Sequence, residues 1–124
     1  MITFLAAGSE TTANMLAWRI SLLAQNPDIV LKLQSEIKSV LGDEPLGLDH
    51  LDKLHLTNAI MQESMRIHPI TTGLGRQVVS DDRIEGVDVM AGSIVYVSQF
   101  SMHTDPKYWR SPMEFRPERF FESG

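Results

Sequence analysis

Apolar side chains surround the first 25 residues of the chain when these residues are placed on a helix. The apolar positions are Phe4, Leu5, Ala13, Leu16, Ala17, Ile20, Leu23 and Ala24. A helix that is apolar on all sides belongs in the interior of a large protein. We therefore predict a long central helix over residues 1–25. We also expect that a chain of 124 residues can bury only part of it.

A second, amphipathic helix is predicted to begin at Asn26-Pro27-Asp28 and to end at Gly42. Asn is a preferred capping residue, Pro fits the first helical position, and Asp stabilises the first turn. The apolar stripe of this helix has helical spacing and consists of Ile29, Leu33, Ile37, Val40 and Leu41. Lys32 and Glu36 are spaced for an ion pair on another face.

A third main helix is predicted over residues 56–67, after a polar loop and a short helix near residues 49–54. Its apolar stripe is Leu56, Ile60 and Ile67. Pro69 ends this helix, because the residue before a proline avoids the helical conformation.

Beyond Pro69 the pattern changes from helical spacing to short β-rich runs. These runs are Gln77-Val78-Val79, Val87-Asp88-Val89 and Ile94-Val95-Tyr96-Val97. Gly86 and Ala91-Gly92 indicate turns between them. One helical turn is predicted near residues 99–103, and the prolines that follow indicate a mostly irregular stretch. The predicted fold is mainly α with a small β-sheet and a C-terminal meander.

Composition narrows the possible functions. The net charge of −5 does not favour binding to nucleic acid, whose phosphates attract basic surfaces. The chain has no cysteine, which excludes a disulfide framework, a cysteine-based zinc or iron–sulfur site and a thiol nucleophile. The four histidines lack the spacing of a metal site. The apolar run at residues 1–7 is too short to span a bilayer.

A polar sequence, Ala7-Gly8-Ser9-Glu10-Thr11-Thr12, interrupts the first helix. Gly destabilises a helix by about 1 kcal/mol relative to Ala, and a carboxylate inside an apolar helix needs a partner. Threonine hydroxyls can bond to the carbonyl one turn earlier and bend the helix. These residues predict either a buried acid–alcohol pair that relays protons or the capped start of a helix.

Glu63 falls within the apolar stripe of the third helix, and Arg66 lies on the same face. A buried carboxylate needs a partner, and a planar guanidinium is the best one. A surface pair of small energetic value is the alternative. The position of Glu63 within the stripe favours a buried, structural pair.

Two arginines, an acid and two aromatic residues occupy Phe115-Arg116-Pro117-Glu118-Arg119-Phe120. Pro117 holds its neighbour Arg116 extended. The stretch has no predicted regular structure, so only its side chains could hold it in place. An arginine that reaches back to Glu63 would anchor the segment; a loose polar tail is the alternative.

Together these motifs resemble the cytochrome P-450 family of heme-thiolate monooxygenases. Residues 7–12 are similar to the oxygen-activation signature on the family's long central helix. Glu63-x-x-Arg66 and Pro117-Glu118-Arg119-Phe120 are similar to the motifs that form a Glu–Arg–Arg lock. His103-Thr104-Asp105-Pro106-Lys107-Tyr108-Trp109 resembles the stretch before the meander. The resemblance covers essentially the whole chain and implies a partial domain from the C-terminal half of that fold.

The resemblance implies roles for the matched residues around heme, the family's cofactor. Ala7, Gly8 and Thr11 would lie over the distal face, where dioxygen binds. Glu10 and Thr11 would help to deliver protons as the O–O bond breaks. Arg76 would pair with a heme propionate.

The resemblance also implies a substrate-facing loop and a structural lock. The loop would consist of Ile70, Thr71, Thr72, Gly73 and Leu74. Glu63, Arg66 and Arg119 would form the lock that holds the heme-binding core.

The missing cysteine departs from the family pattern. In the family the thiolate that binds the heme iron lies downstream of the Pro-Glu-Arg-Phe motif, beyond Gly124. The resemblance implies that the parent protein is a heme-dependent monooxygenase. We expect the isolated chain to hold neither the metal nor heme by thiolate ligation and to be inactive.

The implied parent would insert one atom of dioxygen into a small apolar organic substrate. A reductase or ferredoxin-type partner would supply electrons. Neither nucleic-acid binding nor membrane attachment is indicated by this sequence, although some family members carry an N-terminal anchor. Bacterial members would be cytoplasmic, and eukaryotic ones could reside at the endoplasmic-reticulum membrane.

A non-enzymatic truncated gene product, at most a helical interaction module, is the alternative function. A reading frame that continues past Gly124 into a cysteine-bearing loop would favour the monooxygenase. An unrelated small helical domain is a third interpretation, which the all-round apolar first helix disfavours.

Overall fold

The computed structural model describes residues 2–121 and divides into two compact units. The first unit contains the residues up to Ile70 and those from Met113 onward, and the second contains Thr71–Pro112. Each unit is described by itself. Within residues 2–121, no helix is both long enough and apolar enough to cross a membrane.

The first unit begins with one unbroken helix, α1 (Ile2–Gln25), which confirms the predicted long helix. Because α1 starts well before Ser9, the alternative of a capped helix start within residues 7–12 is wrong. Residues 3–14 are exposed, and burial along α1 begins at Met15. Phe4 is 87% exposed, so the apolar first half of α1 is not covered by the described chain.

Helix α2 (Pro27–Leu41) begins and ends where the sequence predicts. Asn26 occupies the capping position, but its side-chain amide donates to the carbonyl of Leu22 (2.7 Å) rather than capping α2. Gly42 ends the helix with a φ of 58°, a left-handed conformation that favours glycine.

The predicted ion pair between Lys32 and Glu36 on α2 is wrong. Lys32 instead bonds to Glu118 (3.0 Å). Glu36 turns toward the start of the next helix, where it accepts the backbone N–H groups of Leu56 (2.6 Å) and Thr57 (2.9 Å). Local spacing permitted the pair, but both side chains have tertiary partners.

A 3₁₀ helix over Leu48–Lys53 leads into α3 (His55–Ile67), and His68 ends α3 just before Pro69. The core of the unit lies where α1, α2 and α3 meet the C-terminal segment. Its buried apolar residues are Leu22, Ile29, Leu56, Ile60, Ile67 and Phe115. The stripes predicted for α2 and α3 supply most of this core.

A second 3₁₀ helix, Pro117–Phe120, completes the described part of the first unit. The sequence predicted no regular structure here, and that prediction is wrong for these four residues. Pro117 starts the turn, as its fixed φ allows, and it is fully buried.

The second unit holds two antiparallel pairs of strands and one short helix. Strand β1 (Gly73–Gln77) pairs with β4 (Ile94–Ser98), and β2 (Asp82–Ile84) pairs with β3 (Val87–Val89). Helix α4 (Gln99–Thr104) follows β4 directly. The predictions for β3, β4 and α4 are confirmed.

The sequence prediction for the first strand is only partly right, and β2 was missed. Strand β1 ends at Gln77, where the predicted run begins, and it includes Gly73 and Leu74, which were predicted as loop. Two of the five residues of β1 are glycines. The sequence pattern therefore did not indicate a strand here, because glycine has little intrinsic preference for strands.

Candidate functional site

A fully buried carboxylate forms the centre of the first unit's polar core. Glu63 on α3 has no exposed surface, and Arg66, one turn later, is 2% exposed. Arg66 Nε donates to Glu63 Oε2 (2.7 Å), and its second nitrogen donates to Glu63 Oε1 (2.8 Å). The pair is bidentate, which is the strongest geometry for a guanidinium and a carboxylate.

The C-terminal segment supplies two further donors to the same carboxylate. Arg119 Nε donates to Glu63 Oε1 at 3.2 Å, and the backbone N–H of Arg116 donates to it at 3.0 Å. The structure thus brings together Glu63, Arg66 and Arg119, which we call the Glu63 cluster. Arg66 also contacts the carbonyl of Glu114 at 3.4 Å.

The geometry of the Glu63 cluster indicates a structural role. Both carboxylate oxygens are occupied by donors, and desolvation is compensated by two guanidinium groups and a backbone amide. Neither oxygen is free to act as a base. The cluster fastens the second 3₁₀ helix to α3, in a segment with little regular structure of its own.

Two contacts of α1, one with α3 and one with His68 just after it, were not predicted from the sequence. Arg19 Nε donates to the hydroxyl of buried Ser64 (3.2 Å), and Trp18 stacks on His68 with ring centroids 3.9 Å apart. The signal that could have indicated the first contact was Arg19 itself, the single basic residue of α1. The partner of that arginine could not be read from spacing.

The pKa of His68 is displaced from its usual value. Burial lowers the pKa of His68, because the charged imidazole loses hydration. The lowered pKa favours the neutral form of the ring that stacks on Trp18.

The polar segment of α1 forms a row of hydrogen bonds along the helix. Thr11 donates its hydroxyl to the carbonyl of Ala7 (2.7 Å), as Ser9 does to Leu5 (2.7 Å) and Thr12 to Gly8 (3.2 Å). These bonds back to the preceding turn satisfy the hydroxyls without ending the helix. A β-carbon at Gly8 would meet nothing within 4 Å, so the backbone there is openly accessible.

The expected burial of Glu10 beside Thr11 is not found in this chain. Both residues are exposed. The elements of the first unit pack only against the second half of α1, so the acid and the alcohol remain in contact with solvent.

The remaining predicted site residues lie around the start of the second unit. Thr71 and Thr72 precede β1, whereas Gly73 and Leu74 belong to the strand itself. Ile70 belongs to the first unit and directly precedes the second. Arg76 is exposed on β1, and one of its terminal nitrogens donates to the carbonyl of Gly75 (2.9 Å).

The chain matches the family model for cytochrome P450 over residues 1–123. It is 39% identical over 120 residues to mouse cytochrome P450 3A13 and to human cytochrome P450 3A5, and 39% identical to cytochrome P450 71A8 of Mentha piperita. These alignments cover 95–96% of this chain but 24% of each relative.

Solved structures of cytochrome P450 also match this chain. A zebrafish cytochrome P450 with progesterone matches 98% of this chain and 29% of its own, with a TM-score of 0.90 and 36% identity. A structure of zebrafish cytochrome P450 with abiraterone gives a TM-score of 0.91 and 35% identity, covering 98% and 30%. The chain therefore belongs to the cytochrome P450 family, and it spans 24% of the length of the curated relatives it matches.

Proposed function

We propose that this chain is part of a heme-dependent monooxygenase that activates dioxygen and inserts one oxygen atom into a small apolar organic substrate. The observation that carries the proposal is the Glu63 cluster, found together with an uninterrupted Ala7–Thr12 segment in a chain of this family. We further propose that the isolated chain is inactive, because no cysteine is present to bind the heme iron.

The residues of the chain suit the periphery of heme rather than its iron. Arg76 holds an exposed guanidinium that donates to the neighbouring carbonyl of Gly75, and a guanidinium is well matched to a propionate carboxylate. Open space beside Gly8 allows a flat group to approach the α1 backbone closely. When bound, heme supplies the iron centre at which dioxygen is reduced.

Thr11 would hold and pass a proton at its hydroxyl. Its hydrogen is directed to the Ala7 carbonyl, which leaves the oxygen lone pairs open to accept a proton. Glu10 precedes it on α1 and would exchange protons with solvent. In this role the acid collects a proton and the alcohol delivers it, while the protein fixes their positions.

Glu63, Arg66 and Arg119 would act only through the fold. They hold the second 3₁₀ helix, which in the proposed parent leads toward the segment that binds iron. Residues 70–74 would face the substrate, and a reductase or ferredoxin-type protein would deliver the electrons.

The proposed relay is tested in the full-length parent protein with Thr11→Ala. The ratio of product formed to electrons consumed should fall several-fold, because electrons would be lost when proton delivery is slow. Ser9→Ala is the matched control, since Ser9 makes the same bond to the preceding turn at the same 2.7 Å. A Thr11→Ala ratio equal to that of wild type would refute the relay.

A further inference from the structure

The ring of Tyr96 lies across Gly73 on the neighbouring strand. A β-carbon at Gly73 would come within 2.5 Å of Tyr96 Cζ and 2.6 Å of its Cε1. It would also lie 2.5 Å from the carbonyl oxygen of Val97. Any side chain at position 73 would therefore displace the ring or separate β1 from β4, so glycine is required here by close approach.

The strand register explains how the ring reaches this position. Gly75 lies opposite Tyr96, and Gly73 lies diagonally two residues away on the same face. An aromatic ring laid over glycine on an adjacent strand replaces packing that the glycine cannot provide. Tyr96 thus covers Gly73, whereas a β-carbon at Gly75 would meet only the side chain of Ile94, at 3.6 Å.

Two hydrogen bonds hold the residue before this strand. The hydroxyls of Thr72 and Tyr96 lie 3.3 Å apart, within bonding distance. The backbone N–H of Phe100, at the start of α4, donates to the carbonyl of Thr72 (3.2 Å). Tyr96 and α4 therefore fix Thr72 through its side chain and its backbone.

We propose that Tyr96 is a positioning residue that sets the shape of the substrate-facing segment Thr71–Leu74. This inference rests on the proposed function, in which that segment faces the substrate. Side chains alternate along a strand, so Leu74 points to the face opposite Gly73 and Tyr96. Tyr96 contacts the segment on the face opposite Leu74 and fixes its backbone. It therefore affects which ligands bind without touching them directly.

The test uses the full-length, heme-loaded parent protein and two nitrogen ligands of heme iron, imidazole and 1-octylimidazole. Both bind through the same nitrogen, but only the octyl chain extends along the pocket wall. The ratio of the dissociation constants of octylimidazole and imidazole therefore measures changes in the pocket wall, separately from the integrity of the heme. The variants are Tyr96→Leu and Tyr96→Phe, with Tyr108→Phe as control, because Tyr108 is an exposed tyrosine outside both sheets.

Tyr96→Leu should raise the dissociation-constant ratio of octylimidazole to imidazole at least five-fold, with imidazole binding unchanged. Tyr96→Phe should raise it about two-fold, because it removes only an exposed hydroxyl bond. Tyr108→Phe should leave the ratio unchanged. If Tyr96→Leu fails to load heme, the same ratio is measured for Tyr96→Phe and Thr72→Val instead. Both variants remove the contact between the two hydroxyls.

Equal changes for both ligands, or none in any variant, would overturn the role of Tyr96 while leaving the proposed function intact. A wild-type parent that binds neither heme nor imidazole would instead overturn the proposed function and this inference with it.

Discussion

Replacing Glu63 with glutamine would test whether the Glu63 cluster holds the C-terminal segment in place. The substitution preserves shape and volume but removes the charge. The amide has one acceptor oxygen where the carboxylate has two, and its NH₂ group must face donors. At least one of Arg66, Arg119 and the Arg116 amide then loses its acceptor.

The expected loss follows from burial. Glu63 has no exposed surface, and Arg66 is 2% exposed, so neither can regain hydration without disrupting α3. Breaking a buried ion pair by removing one partner costs about 3–5 kcal/mol, mostly because the remaining charge is stranded. A loss of this size is a large share of the stability of an ordinary domain.

The assay is urea unfolding of the full-length parent, followed by tryptophan fluorescence and by heme release. Glu63→Gln should lower the unfolding midpoint strongly and release heme sooner than wild type. Lys32→Gln is the matched control, because its pair with Glu118 links α2 to the same 3₁₀ helix but is exposed to solvent. A Glu63→Gln protein within about 1 kcal/mol of wild type, the range of surface pairs, would refute the argument.

Two further predictions concern the ends of α3. Glu36→Ala should lower the free energy of unfolding by about 1–2 kcal/mol, the value of a helix cap, and should speed amide exchange at Leu56 and Thr57, whose N–H groups it accepts; unchanged exchange would contradict the cap. His68 has a lowered pKa, so as pH falls the unfolded state takes up its proton first, and stability should fall below about pH 6.5. His68→Gln should remove that part of the pH dependence of the urea midpoint, and an unchanged slope would show that His68 is not its source.

The helices could be predicted because their signals are local. Asn26-Pro27 and Gly42 bound α2 within a few residues, and Pro69 limits α3. The position of Glu63 in the apolar stripe of α3 was equally local, and it indicated a buried acid before any partner was known.

The contacts that the sequence did not predict join distant residues. Glu36 meets the start of α3 twenty residues later, and Lys32 meets Glu118 across most of the chain. Spacing on one helix suggested that these two side chains pair with each other, because periodicity reports only neighbours on the same element. The predicted position of strand β1 was shifted for a related reason: Gly73 is packed against Tyr96, which belongs to another strand.

The predicted site residues differ in how completely this chain surrounds them. The Glu63 cluster is closed by side chains of the first unit, so its contacts and its stabilising role can be argued from the described residues. Glu10 and Thr11 lie on the exposed half of α1, where both side chains can exchange protons directly with water. A relay that directs protons along one route requires an environment that excludes bulk water. The role of Thr11 must therefore be measured in the full-length protein, whereas the geometry of the Glu63 cluster is already complete in this chain.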